Sequence, residues 1–490
     1  MPLLRFAEYK PDISDYEGSS TKNILNVVPQ ADGYGPFPDF AALAQTLPGA
    51  CRGAFYALNS DGTVSIFAAT ATKLYQLNNT NYSWTDVSLG GGSYAALSST
   101  AQWQFAQTAN LVFATQANAV LQVFTVGTST AFSNALGSPP QAAYMAVVGQ
   151  FLVLSGLLSQ PFRIQWSGLA SFNGASSWTS GINSSDFNDF PDGGVVRGVA
   201  GGEQSGIVFQ DQIIRSMRYV VGSPVIFQIA KVTQGLGLLA PYSLVQSGGS
   251  ILFYSSKGFH IIAPGGQATP IGRERVDRTF FADLDISNMQ LFMAAADPRS
   301  TRVLFAYKST SGVTGQYDKL LGYDVLLDKW FPVKASGQYL LGLSQSGITL
   351  EALDAISGSI DAMTLSLDAY PTSVQPRLSQ FNGAGVLGSF SAAPLEAIIQ
   401  TAEQGTDFER LDITGFMPIT DAKAVLGSIV YRDTQQSTPV QGAAVGLSRI
   451  GRCDMMRDTR YARFQIDIPA GSTWTYAAGV IPDANPGARQ

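Results

Sequence analysis

"IFAATATKLYQLNNTNYSWTDVSL", residues 66–89, reads as two short apolar strands around a tight turn, then a polar loop and a lone tryptophan that opens the next strand. The pattern of apolar strand, turn and apolar strand returns in "NLVFATQANAVLQVF", "AVVGQFLVLSG", "GIVFQDQIIRSMRYV", "SILFYSSKGFHIIA", "RVLFAYKSTSGVTGQYDKLLGYDV" and "LLGLSQSGITLEAL". The turns centre near Ala71, Ala117, Gln150, Asp211, Lys257, Val313 and Ser346. Their mean spacing of about 46 residues matches the roughly 40 to 50 of a four-stranded propeller blade. The tryptophan also repeats: Lys73 stands before Trp84 in "KLYQLNNTNYSW" at the same offset as Lys319 before Trp330 in "KLLGYDVLLDKW". At both places a large ring is positioned to fill the wedge between neighbouring blades.

Such a unit is apolar on both faces and cannot bury them alone. Blades stacked around an axis bury both and leave short edges. The expected fold is therefore all-β, an irregular β-propeller over residues 51–375. The alternative is a pair of β-sandwiches with ordinary hairpins. Helical periodicity is nearly absent, which argues against α/β folds. The number of blades is not fixed by the sequence, because a strand from either terminus is able to close the ring.

Composition agrees. The 490 residues are 45% hydrophobic and 11% aromatic, enough for a large core. Only 13% are charged, about half the usual share, so the surface is largely Gly, Ser, Thr, Asn and Gln. A net charge of −6 argues against a basic groove that grips nucleic acid. The N-terminal residues lack a signal-peptide pattern, so synthesis and folding in the cytosol are expected. The longest apolar run, residues 142–158, is shorter than a bilayer span and broken by Gly149 and Gln150. It reads as two buried strands joined by a two-residue turn, with no membrane-spanning segment expected. Cys51 and Cys453 are far apart and read as unpaired buried thiols.

The flanks depart from the repeat. Residues 1–50, with "NVVPQADGYGPFPDF" at 26–40, are rich in Pro, Gly and Asp and read as an extended strap that orders by lying on something else. Residues 376–490 read as a separate antiparallel β domain.

Taken in order, "NVVPQADGYGPFPDF", "CRGAFYALNSDGTVSIFAATATKLYQL", "PFRIQWSGL…SSWT", "FPDGGVVRGVAGGEQSGIVFQDQIIRSMRYV", "GFHIIAPGGQATPIGRERVDRTFF" and "GRCDMMRDTRYARFQIDIPAGSTWTYAAGV" resemble bacteriophage tail hub, or nozzle, proteins along nearly the whole chain. The resemblance implies a virion tail protein assembled in the host bacterial cytoplasm. In that role it forms a homohexameric ring below the portal and head-to-tail adaptor, carries the DNA channel and docks tail fibres or a needle. It brings no catalytic residues, cofactor or metal.

Few residues are suited to chemistry. His260, the sole histidine, lies in the apolar strand "GFHIIA" and reads as structural, although any Ser/His/Asp or Cys/His site must use it. Asp186, Asp189 and Asp192 in "SSDFNDFPDGG" lie three apart, unlike a Ca²⁺-binding EF-hand, and read as a solvated loop. "GRERVDR" sets Arg273, Arg275 and Arg278 among Glu274 and Asp277, and "RDTRYARF" carries Arg457, Arg460 and Arg463. Both runs read as ion-pair surfaces toward a partner subunit rather than as phosphate contacts. In the strap, Tyr34, Pro36, Phe37 and Phe40 read as apolar anchors on a partner. A competing reading is a carbohydrate-binding or depolymerising propeller of a tail, and a third is a secreted lectin.

Overall fold

A computed structural model of the protein describes residues 3–14, 20–223, 225–345, 359, 375–405 and 409–489. Strands dominate them. The one α-helix among the described residues, α1 (Asp277–Asp283), has a single buried side chain, Phe280.

Seven four-stranded antiparallel sheets follow one another. Six are simple meanders, within residues 54–86, 104–134, 142–189, 196–234, 245–270 and 293–333. The second strands of these sheets are buried on both faces, as in Val64–Ala69 and Phe151–Leu157, which explains their unbroken apolar runs. The fourth strand Asp186–Asp189 is open to solvent, whereas its counterpart Lys329–Val333 is largely buried.

The core is divided among the seams between sheets. Phe67 and Trp103 join the first sheet to the second, Phe113 and Leu152 the second to the third, and Phe151 and Met217 the third to the fourth. Phe209 meets Phe253 at the fourth seam, and Phe259, Phe305 and Trp330 fill the fifth. Leu304 and Leu340 lie in the sixth, and Val64, Ile66, Phe381 and Leu387 in the seventh, where the last sheet meets the first. The ring is closed: this is a seven-bladed β-propeller. The hairpins at Ala71, Ala117, Gln150, Asp211, Lys257 and Val313 fall one to a blade. Ser346 lies outside the described residues.

The repeated tryptophans act as wedges. Trp330, in the fourth strand of blade 6, is fully buried against blade 5 and donates from Nε1 to the Ile271 carbonyl at 3.1 Å. Trp84, in the fourth strand of blade 1, packs on Phe381 of blade 7 at 5.7 Å and donates to the Gln45 carbonyl at 2.9 Å. The Gly149–Gln150 connection is a two-residue turn, with Gly149 at φ +58°, where a side chain is disfavoured.

Blade 7 corrects the expected boundaries. Its inner strands are Gly337–Gln345, Gln375–Asn382 and Val386–Pro394, and its outermost strand is Pro38–Thr46, drawn from the segment read as a strap. Phe40 lies opposite Phe390 and Thr46 opposite Val386. Thus residues 376–394 belong to the propeller, and the N-terminal segment is not a free strap but an internal fastener. Pro38 is tolerated because it opens an edge strand, where a ladder donor is not required.

The remaining C-terminal strands form a two-sheet sandwich with N-terminal ones. In one sheet Cys453–Thr459, Glu409–Thr420 and Ala477–Arg489 are extended by Tyr34–Pro36, Val27–Pro29 and Leu4–Arg5. In the other, Leu426–Arg432, Tyr461–Ile468 and Ala397–Gln400 are joined by Ile24–Leu25. The sheets meet through Phe416 and Phe464, edge to face at 5.3 Å, and their core is continuous with the sixth propeller seam. Both cysteines are free and buried, and burial pushes the Cys51 thiol up to about 12.

Candidate functional site

Two cavities merit chemical scrutiny. The first lies on the propeller axis, about 220 Å³, bounded by first strands of several blades, and its lining includes Gln102, Gln104, Tyr144, Tyr242, Gln246 and Tyr339. Tyr242 plugs it: its hydroxyl accepts the Gln102 backbone N–H at 2.8 Å, and its ring lies 6.1 Å from that of Tyr144. Burial pushes the phenols of Tyr242, Tyr144 and Tyr339 upward, so all stay neutral. Its lining residues are neutral, suited to hydrogen bonding rather than to acid–base work.

The second cavity, about 560 Å³, lies beside blade 5 and is bordered by His260, Lys257, Asp277, Arg273, Glu274 and Phe281. His260 is almost wholly buried, stacks on Phe253 at 5.6 Å, and its Nδ1 is 2.9 Å from the Gly258 carbonyl and 3.2 Å from Ser255 Oγ. The carbonyl only accepts, so Nδ1 carries the proton and is no base toward Ser255, whose hydroxyl donates to the same carbonyl. Burial also lowers the imidazole pKa. The histidine is placed as a packed strand residue.

Asp277 opens α1, and its Oδ1 accepts the Phe259 N–H at 3.1 Å. Burial, reinforced by the Asp12 charge, raises its pKa to about 6. Asp12 comes from the N-terminal segment and caps the helix, accepting the backbone N–H of Arg278 at 2.8 Å and the N–H and hydroxyl of Thr279 at 2.9 and 2.7 Å. Arg278 in turn donates to the Asp12 carbonyl. No local signal marks this contact, because its halves lie at opposite ends of a long stretch of chain.

The residues read as partner contacts fare unevenly. Tyr34 and Phe37 are buried within the chain: the Tyr34 hydroxyl donates to the Ala7 carbonyl at 2.7 Å, and Phe37 meets Phe390 edge-on at 5.3 Å. Pro36 and Phe40 are half-buried in the same intrachain strands. Arg275 grips Asp328 bidentately at 2.6 and 2.9 Å. Arg457 lies over the Tyr431 ring at 4.2 Å, and Arg463 meets the buried Glu403 at 3.0 Å. Arg460 is half-exposed, and Arg273 and Arg278 are exposed. The basic runs thus serve largely within the chain.

The three aspartates do not converge. Asp189 pairs with Arg163, Asp192 with Arg215 and Lys231, and Asp186 accepts the Ser180 hydroxyl at 2.6 Å. Among the described residues no group of His, Cys, Asp and Glu is arranged to hold a metal ion, and no helix is long and apolar enough to cross a membrane.

A feature the sequence did not disclose lies on the sandwich. Met417 pairs with Ile481 across neighbouring strands, and Leu3 precedes Leu4, the partner of Val480, so an apolar row crosses three strands. All three are exposed, at 38%, 40% and 43%.

No protein-family model and no curated protein sequence matches the chain. Among solved structures it is similar to a chain of a mitotic checkpoint complex, with 9% identity, a TM-score of 0.40, and coverage of 74% of this chain and 95% of that one. It is also similar to the AfRom2 CNH domain, at 7% identity and TM-score 0.37, covering 71% and 97%. A putative 6-phosphogluconolactonase from Bacteroides fragilis shows 11% identity and TM-score 0.33, with 63% and 85% covered. The propeller assignment rests on the sheet topology and seams described above.

Proposed function

We propose that the protein is a structural component of a bacteriophage tail, one copy of a ring-forming hub or nozzle whose function lies in its shape and interfaces. The observation that carries this reading is the exposed apolar row Leu3, Ile481 and Met417 on the sandwich. Apolar side chains aligned across three strands are costly in water and gain by burial against another copy. The ordered sequence resemblance to tail hub proteins supports the same reading.

In such a ring the DNA path runs between copies. The cavity on the propeller axis has a volume of about 220 Å³ and is stoppered by Tyr242, too small for a duplex. A conduit must not grip phosphates, since every neutralised phosphate releases counterions and adds affinity. Its lining is accordingly acidic or neutral, in keeping with the charge of −6. The adaptor above and fibres or a needle below complete the assembly, which places the protein in the virion tail.

Negative-stain imaging of the purified protein tests this directly: rings with a central hole are expected, and Met417→Glu or Ile481→Glu should leave folded single copies. Monodisperse monomers of the unaltered chain would overturn it. The competing reading, a carbohydrate-binding or depolymerising tail propeller, draws on the 560 Å³ cavity with Phe281 exposed at its edge and Asp277 titrating at about 6. Binding of host-surface polysaccharide that Phe281→Ala abolishes would favour it.

A further inference from the structure

The connection between the first two strands of blade 6 turns at Asp297–Ser300. There the Asp297 carboxylate accepts the Arg299 backbone N–H at 3.1 Å and the Ser300 hydroxyl at 2.7 Å. The turn is held by its own side chain and carries Arg299 outward into solvent. Across the seam, on strand Gln375–Asn382 of blade 7, stands Arg377. Both arginines donate from Nη2 to one oxygen, Gln375 Oε1, at 2.8 and 3.1 Å.

Among the described residues, no carboxylate forms an ion pair with Arg299 or Arg377. The shared acceptor is a neutral amide, the Asp297 carboxylate keeps its charge but turns both oxygens to its own turn, and the nearby Arg302 has its own carboxylate, Asp324, at 3.3 Å. Arg377 Nε is sealed from water without a hydrogen-bond partner. Burial, with the Arg299 charge adding to it, lowers the Arg377 pKa. A guanidinium offers five donors in a planar fork. Here the Arg377 Nε donor stands unpartnered beside a like charge, a configuration that an incoming anion relieves.

The rest of the site is mixed: Asp297, Ser300 and Arg302 lie on the turn side, and the opposite wall is apolar. The two arginines border a cavity of about 280 Å³ whose other walls include Val28, Phe37, Leu378 and Phe390. Phe37 and Phe390 meet edge-on, so the N-terminal segment and blade 7 build this wall together. The volume suits one or two side chains rather than an extended ligand.

We propose that this cavity docks an acidic peptide segment of a partner protein. A side-chain carboxylate is received by Arg299 and Arg377, and the apolar side chain beside it seats on the Phe37–Phe390 wall. The apolar wall offers nothing to a free inorganic anion, and the cavity of about 280 Å³ is too small for a nucleotide with its base and sugar. An acidic and apolar peptide satisfies both halves of the site. The inference does not depend on the ring reading, because the cavity lies at the propeller–strap junction and uses none of the row Leu3, Ile481 and Met417.

Calorimetric titration of the full chain tests it with three probes: a capped peptide of alternating leucine and glutamate, its leucine–glutamine counterpart, and inorganic phosphate. The acidic peptide should bind, the glutamine peptide should bind weaker by about tenfold or more, and phosphate should bind weakly. Arg299→Gln, on an exposed turn, should weaken the acidic peptide by about tenfold without moving the melting temperature, and Arg377→Gln should do the same in any variant that folds. The proposal is overturned if the unaltered protein ignores the acidic peptide or Arg299→Gln binds it undiminished. It is likewise overturned if phosphate matches the peptide, which would make this a site for simple anions.

Discussion

Phe40 lies directly opposite Phe390 in the antiparallel ladder that closes blade 7, so the propeller is fastened by a strand from near its own N-terminus. The same segment goes on, in the other direction, to supply Tyr34–Pro36, Val27–Pro29 and Ile24–Leu25 to the two sheets of the sandwich. One stretch of chain therefore ties both bodies together.

Deleting residues 1–46 should prevent cooperative folding rather than merely block assembly. The deletion strips the outer strand from blade 7, reopens the ring between its first and last blades, and exposes Val27, Val28, Tyr34 and Phe37 partners in the shared core. Loss of a sharp melting transition, followed by calorimetry or near-ultraviolet dichroism, is the expected result. A truncated chain that melts as sharply as the whole would show that the fastening strand is dispensable.

The two wedge tryptophans should differ in what their removal costs. Trp330 is fully enclosed between blades 5 and 6, so Trp330→Ala should destabilise by about 3–5 kcal/mol. Trp84 is only partly buried at the seam of blades 7 and 1, and Trp84→Ala should cost about 1–2 kcal/mol. Denaturant midpoints of the two variants, measured side by side, check the order.

How much of this was legible follows from where the burial signal is local. The hairpins stood out because each blade's middle strands, such as Ser250–Ser255, are covered on both faces and must be apolar throughout. Trp84 and Trp330 were readable because they repeat at a fixed offset. The N-terminal segment reads as a strap because Pro36, Pro38 and nearby glycines argue against a central strand, whereas the closing strand Pro38–Thr46 lies at an edge. Asp12 on α1 and the Arg299–Arg377 pair left no sequence trace at all. Each joins residues that only the closed ring brings together, and no periodicity encodes such a meeting.

Stability should fall as pH rises through the range set by Asp277. Its folded pKa is raised to about 6 from an ordinary value near 3.8, mainly by burial, so the folded chain holds a proton that the unfolded chain has already released. The penalty is absent below about pH 4, grows between pH 4 and 6, and is complete above that, amounting to about 1–2 kcal/mol once partial solvent exposure is discounted. Asp277→Asn keeps an acceptor for the Phe259 N–H and removes the charge facing Asp12. The variant should therefore melt higher than the parent at pH 8 and level with it at pH 4. Parallel melting curves for the two proteins that keep the same offset at every pH would refute the assignment.

The axial plug should matter for stability and not for assembly. Tyr242→Phe takes away the acceptor of the Gln102 N–H at a half-buried position, an expected loss of about 1 kcal/mol. Tyr242→Ala also empties the volume beside Tyr144 and Tyr339 and should cost more, about 3–5 kcal/mol, by the usual cavity penalty. Neither change reaches the sandwich row of Leu3, Ile481 and Met417. If rings form through that row and DNA passes between copies, Tyr242→Ala protein should still build rings of normal diameter at a temperature below its lowered midpoint, while Met417→Glu protein, fully folded, should not. The opposite pattern, with ring formation lost in the axial variant and kept in the surface variant, would move the assembly contact to the propeller mouth and away from the sandwich.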